Sequence, residues 1–365
     1  MRKKKVLIVE DSLTVRTLLE HVIGNDPRLE VAASVGTAEE ALRVMPAVRP
    51  DVISLDVRLP GMNGLDATRR IMSDHPTPIV IVSANVDGDD FKISMNALSA
   101  GAVTVVEKPV ATTMQDYEAL AERLCRQLAI MSDVHVIRQR HGRAGMAAAP
   151  TAGPAPTAAR GQSRPPDYAA EPRGDYRVLG IVASTGGPSA LVKLLGALGT
   201  DFPLPVVLVQ HITPSFMAGF VSWLDEMVPL KVVAAEDGDI AIAGTVYVAP
   251  ADRHLEVQGG RLKLVQGPAV SSQKPSGTVL LQSLARNYGR HALGVVLTGM
   301  GDDGASGLGA VRAAGGHTIA EDESTAVVYG MPAVAVRLGA ACEELPLHEI
   351  GPRLLRLGGS SRIVP

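Results

Sequence analysis

A hydroxyl, an imidazole and a carboxylate are spread over the second half of this chain, each just beyond a short apolar run. Ser184 follows Val178 to Val182 within G-I-V-A-S-T-G-G-P, and His211 follows Val206 to Val209 and Gln210. Leu293 to Leu297 leads into T-G-M-G-D-D-G, which carries Asp302 and Asp303. Alone, a histidine after a strand is usually a loop or cap residue, and an acid in a glycine-rich turn is usually structural. Together the three types suit nucleophilic catalysis, in which imidazole takes the serine proton and the acid fixes its tautomer. The glycines beside Ser184 could instead cradle a phosphate. The spacing from Gly180 to Gly186 and Gly187, however, fits neither G-x-G-x-x-G nor a phosphate loop with its lysine. It also differs from the nucleophile elbow, whose serine lies between two near glycines.

The first third carries a different set. Glu10 and Asp11 follow Val6 to Val9, Asp56 follows Val52 to Leu55, Ser83 follows Ile79 to Val82, and Lys108 follows Val103 to Val106 by one residue. Clustered carboxylates repel unless a cation joins them, and hard oxygen ligands with room for water and phosphate oxygens suit Mg²⁺. Lys108 adds a positive point charge for a phosphoryl group.

Such residues need a scaffold that gathers strand ends. Continuous β-branched runs separated by helix-length connections predict a doubly wound α/β domain with a parallel sheet, whose crevice lies beyond the carboxyl ends of the strands. The pattern fails from about Ser132 to Tyr176, where Ala, Pro, Gly and Arg dominate, and resumes at Val178 as a second α/β domain. The predicted division is residues 1–128, a flexible linker 129–176, and 177–365. Within the last part, His254 to Val265 reads as a β-hairpin turning at Gly259 and Gly260, so that domain is predicted mostly, not purely, parallel.

Composition narrows the partner. At 46% hydrophobic, 20% charged and net charge -3, the chain lacks the basic footprint of a nucleic-acid binder, and protein is the expected partner. Cys125 and Cys342 lack the paired spacing of a zinc site or disulfide framework and read as small apolar residues. The apolar run after the basic start breaks at Glu10, too short for a signal peptide, and no run is long enough for a membrane span. The expected address is the cytoplasm, without membrane insertion.

Roughly the first 125 residues resemble the receiver domain of response regulators, through V-L-I-V-E-D-S, L-D-V-R-L-P-G-M-N-G, V-S-A and V-V-E-K-P. The resemblance implies a flavodoxin-like, five-stranded parallel sheet and phosphorylation of Asp56, with Glu10, Asp11 and Asp56 holding Mg²⁺. Ser83 and Lys108 would contact the phosphoryl oxygens. From Val178 to about Leu347 the chain is similar to the CheB family, the chemotaxis response-regulator protein-glutamate methylesterases. The shared motifs are A-S-T-G-G, V-Q-H-I, E-D-G, Y-V-A-P-A-D-R-H-L, L-T-G-M-G-D-D-G and V-V-Y-G-M-P, in that order. That resemblance implies Ser184 as nucleophile, His211 as general base, Asp303 rather than Asp302 as orienting acid, and backbone N–H groups of Thr185 and Met300 as oxyanion donors.

It further implies hydrolysis of glutamate γ-methyl esters on methyl-accepting chemoreceptors, releasing methanol, with no cofactor for the esterase. The same machinery would deamidate receptor glutamines, and a histidine kinase of the CheA type would donate the phosphoryl group. The simplest regulation has the unphosphorylated receiver covering the mouth of the esterase site. Two departures stand out: Val105 occupies a position where receivers often carry an aromatic residue, and Gln273 to Thr278 replaces a segment that often reads H-R-P-S-V-D. Two other readings are a silent phosphate-sink or adaptor protein, against which Ser184, His211 and Asp303 argue, and the same enzyme serving a pathway other than chemotaxis.

Overall fold

The computed structural model describes residues 2–83, 89–109, 114–134, 136 and 175–359, so most of the predicted linker lies outside the described residues. The first domain alternates β1 (Lys4–Val9), α1 (Leu13–Asn25), β2 (Leu29–Val35), α2 (Ala38–Val48), β3 (Val52–Leu55), α3 (Gly64–Asp74), β4 (Ile79–Ser83), α4 (Asp89–Ser99), β5 (Thr104–Glu107) and α5 (Met114–Met131). Its five strands run parallel in the order β2-β1-β3-β4-β5. Period-2 alternation divides the core. Val6 and Ile8 pack with Leu19, Ile23, Leu124 and Leu128 of α1 and α5, while Leu7 and Val9 face Ala41, Ile71 and Met95 of α2, α3 and α4. The order reverses between β1 and β3, which opens the crevice beside Glu10, Asp11 and Asp56.

The second domain contains β6 (Val178–Ala183), α6 (Gly187–Leu198), β7 (Val206–Gln210), α7 (Pro214–Met227), β8 (Lys231–Ala234), β9 (Thr245–Val248), β10 (His254–Gln258), β11 (Arg261–Val265), α8 (Gly277–Tyr288), β12 (Ala292–Val296), α9 (Ala305–Ala313), β13 (His317–Glu321), α10 (Met331–Arg337), β14 (Glu343–Leu345) and α11 (Leu347–Gly358). Seven strands form one wholly parallel sheet, ordered β14-β13-β12-β6-β7-β9-β8. The predicted hairpin exists as β10 and β11, paired antiparallel in a separate two-stranded sheet. It is tied to α8 by the Val257 amide, which donates to Ser283 Oγ at 3.0 Å.

The two domains meet through α4 on one side and α6 and α7 on the other. The Phe91 and Phe216 rings lie 5.8 Å apart, and Trp223 Nε1 donates to Asn96 Oδ1 at 3.1 Å. Ser189 Oγ donates to Leu98 O at 2.9 Å, and Lys92 pairs with Glu226 at 2.8 Å. Phe91, Met95 and Leu98 belong to the same apolar cluster as Phe216, Phe220 and Trp223, so the junction is a continuous core with a polar margin.

Candidate active site

β6 is the central strand of the second sheet, and its neighbours deliver the other two groups. β7 pairs with it so that Ala183 lies opposite Gln210, and the His211 amide donates to Ala183 O at 3.0 Å. Ser184 and His211 therefore leave adjacent strand ends side by side. On the opposite flank, β12 pairs with β6, and the Ser184 amide donates to Thr298 O at 3.0 Å. Gly186 takes φ +79°, a left-handed turn that suits glycine, and α6 then opens with Pro188 in its first turn. Buried Gln210 clamps the two ends: its Nε2 donates to Ser184 O at 2.8 Å and His211 O at 2.9 Å.

Asp303, not the exposed Asp302, reaches the imidazole, with His211 Nε2 2.8 Å from Asp303 Oδ2. Asp303 is 2% exposed, and both its oxygens are held by the start of α8. Ser276 Oγ donates to Oδ1 at 2.6 Å, as does the Thr278 amide at 3.0 Å, while the Gly277 amide donates to Oδ2 at 2.6 Å. Burial alone would raise this carboxyl. The bond and charge of His211, with the Ser276 and Thr278 donors, outweigh it and hold the pKa at about 2. Thr278 Oγ1 also accepts from the Gly304 amide at 2.8 Å, which ties the acid-bearing loop to the helix. The last three residues of the segment that departs from the family pattern, Ser276 to Thr278, are thus the cradle of the acid.

Among the described residues neither ring nitrogen of His211 bonds Ser184: Nε2 is taken by Asp303, and Nδ1 is buried without a partner. Ser184, Thr185, His211 and Met300 nevertheless line one cavity of about 150 Å³. Its wall includes Gln273 and, from the first domain, Val103 to Val106, Arg123 and Gln127. Val105 is thus half-buried at the junction of the domains. Beneath the cavity Thr298 Oγ1 donates to Thr185 O at 2.9 Å, and the Thr298 amide donates to buried Glu321 at 2.8 Å.

In the first domain, Glu10, Asp11 and Asp56 place ligand oxygens within 4.8 Å of one another. Lys108 Nζ lies 2.8 Å from Glu10 and 2.9 Å from Asp56. Burial pushes the Asp56 and Glu10 carboxyls up, against the pull of Lys108. Burial also opposes the Lys108 charge, but Asp56 and Glu10 keep its ammonium above the usual range. Three carboxylates against one ammonium fit a divalent cation at the solvent-open side, where Asp11 is exposed. Ser83 is buried at the end of β4, and its carbonyl accepts the Lys108 amide at 3.0 Å, so the two stand on neighbouring strand ends.

A strand-end acid cluster with its lysine, followed by a parallel sheet edge bearing serine, histidine and a buried acid, defines a response regulator joined to a hydrolase domain. Residues 6–117 match the response regulator receiver domain family, and residues 179–354 match the CheB methylesterase family. The chain belongs to the CheB family of protein-glutamate methylesterases. It is 56% identical over 363 residues to protein-glutamate methylesterase/protein-glutamine glutaminase 2 of Paramagnetospirillum magneticum, covering 98% of this chain and 99% of that one. It is 41% identical to protein-glutamate methylesterase/protein-glutamine glutaminase 4 of Myxococcus xanthus, over 96% of each chain. The crystal structure of the Thermotoga maritima CheB methylesterase catalytic domain is 37% identical, covering 50% of this chain and 98% of that one, with a TM-score of 0.48.

Proposed function

We propose that this chain hydrolyses glutamate γ-methyl esters on chemoreceptors, with Ser184 as nucleophile, His211 as general base and Asp303 as the acid that orients it. In this reading residues 1–128 regulate, 129–176 tether and 177–365 catalyse. The observation that carries it is the 2.8 Å bond between His211 and buried Asp303 beside Ser184 on one sheet edge. Ser184 Oγ attacks the ester carbon and His211 takes its proton through Nδ1, the nitrogen that Asp303 leaves open. The developing oxyanion is received by the Thr185 and Met300 amides, and the proton passes to the departing methoxide, which leaves as methanol. Water then attacks the acyl-enzyme, giving a glutamate carboxylate and restoring Ser184. Resting catalytic hydrogen bonds commonly tighten only when substrate arrives, which suits the open Nδ1. A glutamine side chain losing ammonia instead of methanol gives deamidation by the same steps.

Phosphorylation of Asp56 by a CheA-type histidine kinase would relieve restraint by the receiver. Mg²⁺ at Glu10, Asp11 and Asp56 would offset the charge of the incoming phosphoryl group. Ser83 and Lys108 would contact its oxygens, and they lie next to β5 and α4, which line the cavity and pack on α6 and α7. A complete swing from docked to undocked needs about 5.5 kcal/mol of differential stability, and partial activation needs less. Receptor cytoplasmic regions as substrate place the enzyme in the cytoplasm.

The test is methanol release from methylated receptor membranes, with and without a small phosphodonor. The full chain should release methanol faster with the donor, and Ser184→Ala should release none above background. Equal release by Ser184→Ala would refute the assignment.

A further inference from the structure

The docked receiver narrows the cavity without dismantling its chemistry. Val103 to Val106, Arg123 and Gln127 close one side, leaving about 150 Å³. A receptor helix, about 10–12 Å across with its side chains, does not fit such a space. A guest of about six heavy atoms does, since a cavity of this size accommodates benzene.

Three observations show that the docked receiver leaves the acid and base paired and the cavity open to a small guest. The Asp303 to His211 bond is intact at 2.8 Å, and the acid keeps all its donors from α8. Ser184 and Thr185 are half-buried rather than sealed, and Met300, which lines the same cavity, is 39% exposed. His211 Nδ1 and Gln127 Oε1 are buried without partners on residues of the same wall. With the Ser184 hydroxyl they offer the polar neighbours that an enclosed water requires.

We propose that the docked, unphosphorylated chain hydrolyses small carboxylic esters such as methyl propanoate, and that phosphorylation selects substrates by size instead of switching the chemistry on. The inference rests on the esterase reading above. Ser184 Oγ bonds to the ester carbon and the C–OCH₃ bond breaks, with the serine proton leaving on methanol by way of His211. Water then cleaves the propanoyl-serine, yielding propanoate and a proton and returning the hydroxyl.

The test uses the full chain with three substrates: methyl propanoate, the bulkier methyl 4-(biphenyl-4-yl)butanoate, and methylated receptor membranes. Each is assayed for methanol with and without a small phosphodonor, against Ser184→Ala. The expected result is a rate on methyl propanoate that changes by less than about threefold, while the rates on receptor and bulky ester rise by about tenfold or more. A methyl propanoate rate that climbs in step with the receptor rate overturns the proposal. So does receptor hydrolysis without small-ester hydrolysis in either state, or a bulky ester indifferent to the phosphodonor. Methanol from no substrate in the phosphorylated state overturns the esterase reading itself, and this inference with it.

Discussion

The Phe91 ring on α4 lies so close to Gly219 on α7 that a Cβ at that glycine would sit 2.8 Å from two ring carbons. The domains therefore touch through a spot that tolerates no side chain. Gly219→Leu improves helix propensity by about 0.8 kcal/mol, so its cost falls on docking rather than on α7. Without phosphodonor, receptor demethylation by this variant should rise about tenfold, corresponding to a docking shift of about 1.4 kcal/mol. Methanol release measures it, and an unchanged rate would show that this junction does not restrain the enzyme.

The two neighbouring acids should separate cleanly. Asp303→Asn keeps the shape but loses the charge facing His211, and the rate on methylated receptors should fall by about three to four orders of magnitude. Asp302→Asn, on the exposed side of the turn, should stay within about twofold of the parent. Equal losses, or loss from Asp302→Asn alone, would reverse the assignment.

Asp303 also makes an acid-sensitive contribution to stability. Its carboxyl is held at about 2 in the folded chain against an ordinary 3.8, so the stabilisation is present above pH 3.8 and is lost as pH falls toward 2. The full contribution is about 2 kcal/mol. The stability difference between the parent and Asp303→Asn should narrow by about 1 kcal/mol from pH 5 to pH 3. Denaturant melts at the two pH values check this, and a gap that widens would contradict the picture.

How much of this was legible in the sequence depends on what each element shows to solvent. Val52–Leu55 and Ile79–Ser83 are buried along their length, and apolar runs announced them. β2, β8 and β14 are edge strands, each with a single buried residue, Leu29, Val232 and Leu345, so no run betrayed them. β9 and β13 begin with Thr245 and His317, whose polarity blurred the pattern. The groups that could do chemistry stood out because they follow strands. The cradle of Asp303 did not, since two of its four donors are backbone amides that leave no side-chain signature. Ser276 carried one local signal, as the hydroxyl that caps α8 by accepting from the Val279 amide. The junction was silent for a different reason: Phe91, Asn96, Phe216 and Trp223 read as ordinary positions on amphipathic helices.

Gly277 links that cradle to the central strand. A Cβ there would lie 2.2 Å from Val182 Cγ1, so Gly277→Ala must push the start of α8 away from β6 and from Asp303. Overpacking of this kind costs about 1–3 kcal/mol. Methanol release should fall by about tenfold, and Val182→Ala in the same chain should restore part of both losses. Thermal melts and methanol assays on the four members of the cycle measure the coupling; strictly additive losses would mean that the two positions do not meet.

The two chemistries should also differ in their need for metal. Chelating divalent cations should reduce phosphoryl uptake at Asp56 from a small donor by about a hundredfold or more, because Glu10 and Asp56 then repel the incoming group. Hydrolysis of methyl propanoate should be unaffected. Loss of both activities on chelation would place a metal in the second site as well.

The strand order carries a consequence for the newly made protein. The receiver emerges from the ribosome first, and domains tend to fold in the order in which they are synthesised. In the second sheet β6 and β7 are synthesised early, but the loop bearing Asp303 follows β12, which pairs with β6 and is made only after the hairpin and α8. A nascent chain thus possesses its restraint well before it possesses a complete hydrolytic centre, and truncated translation products lacking β12 carry serine and histidine without the acid.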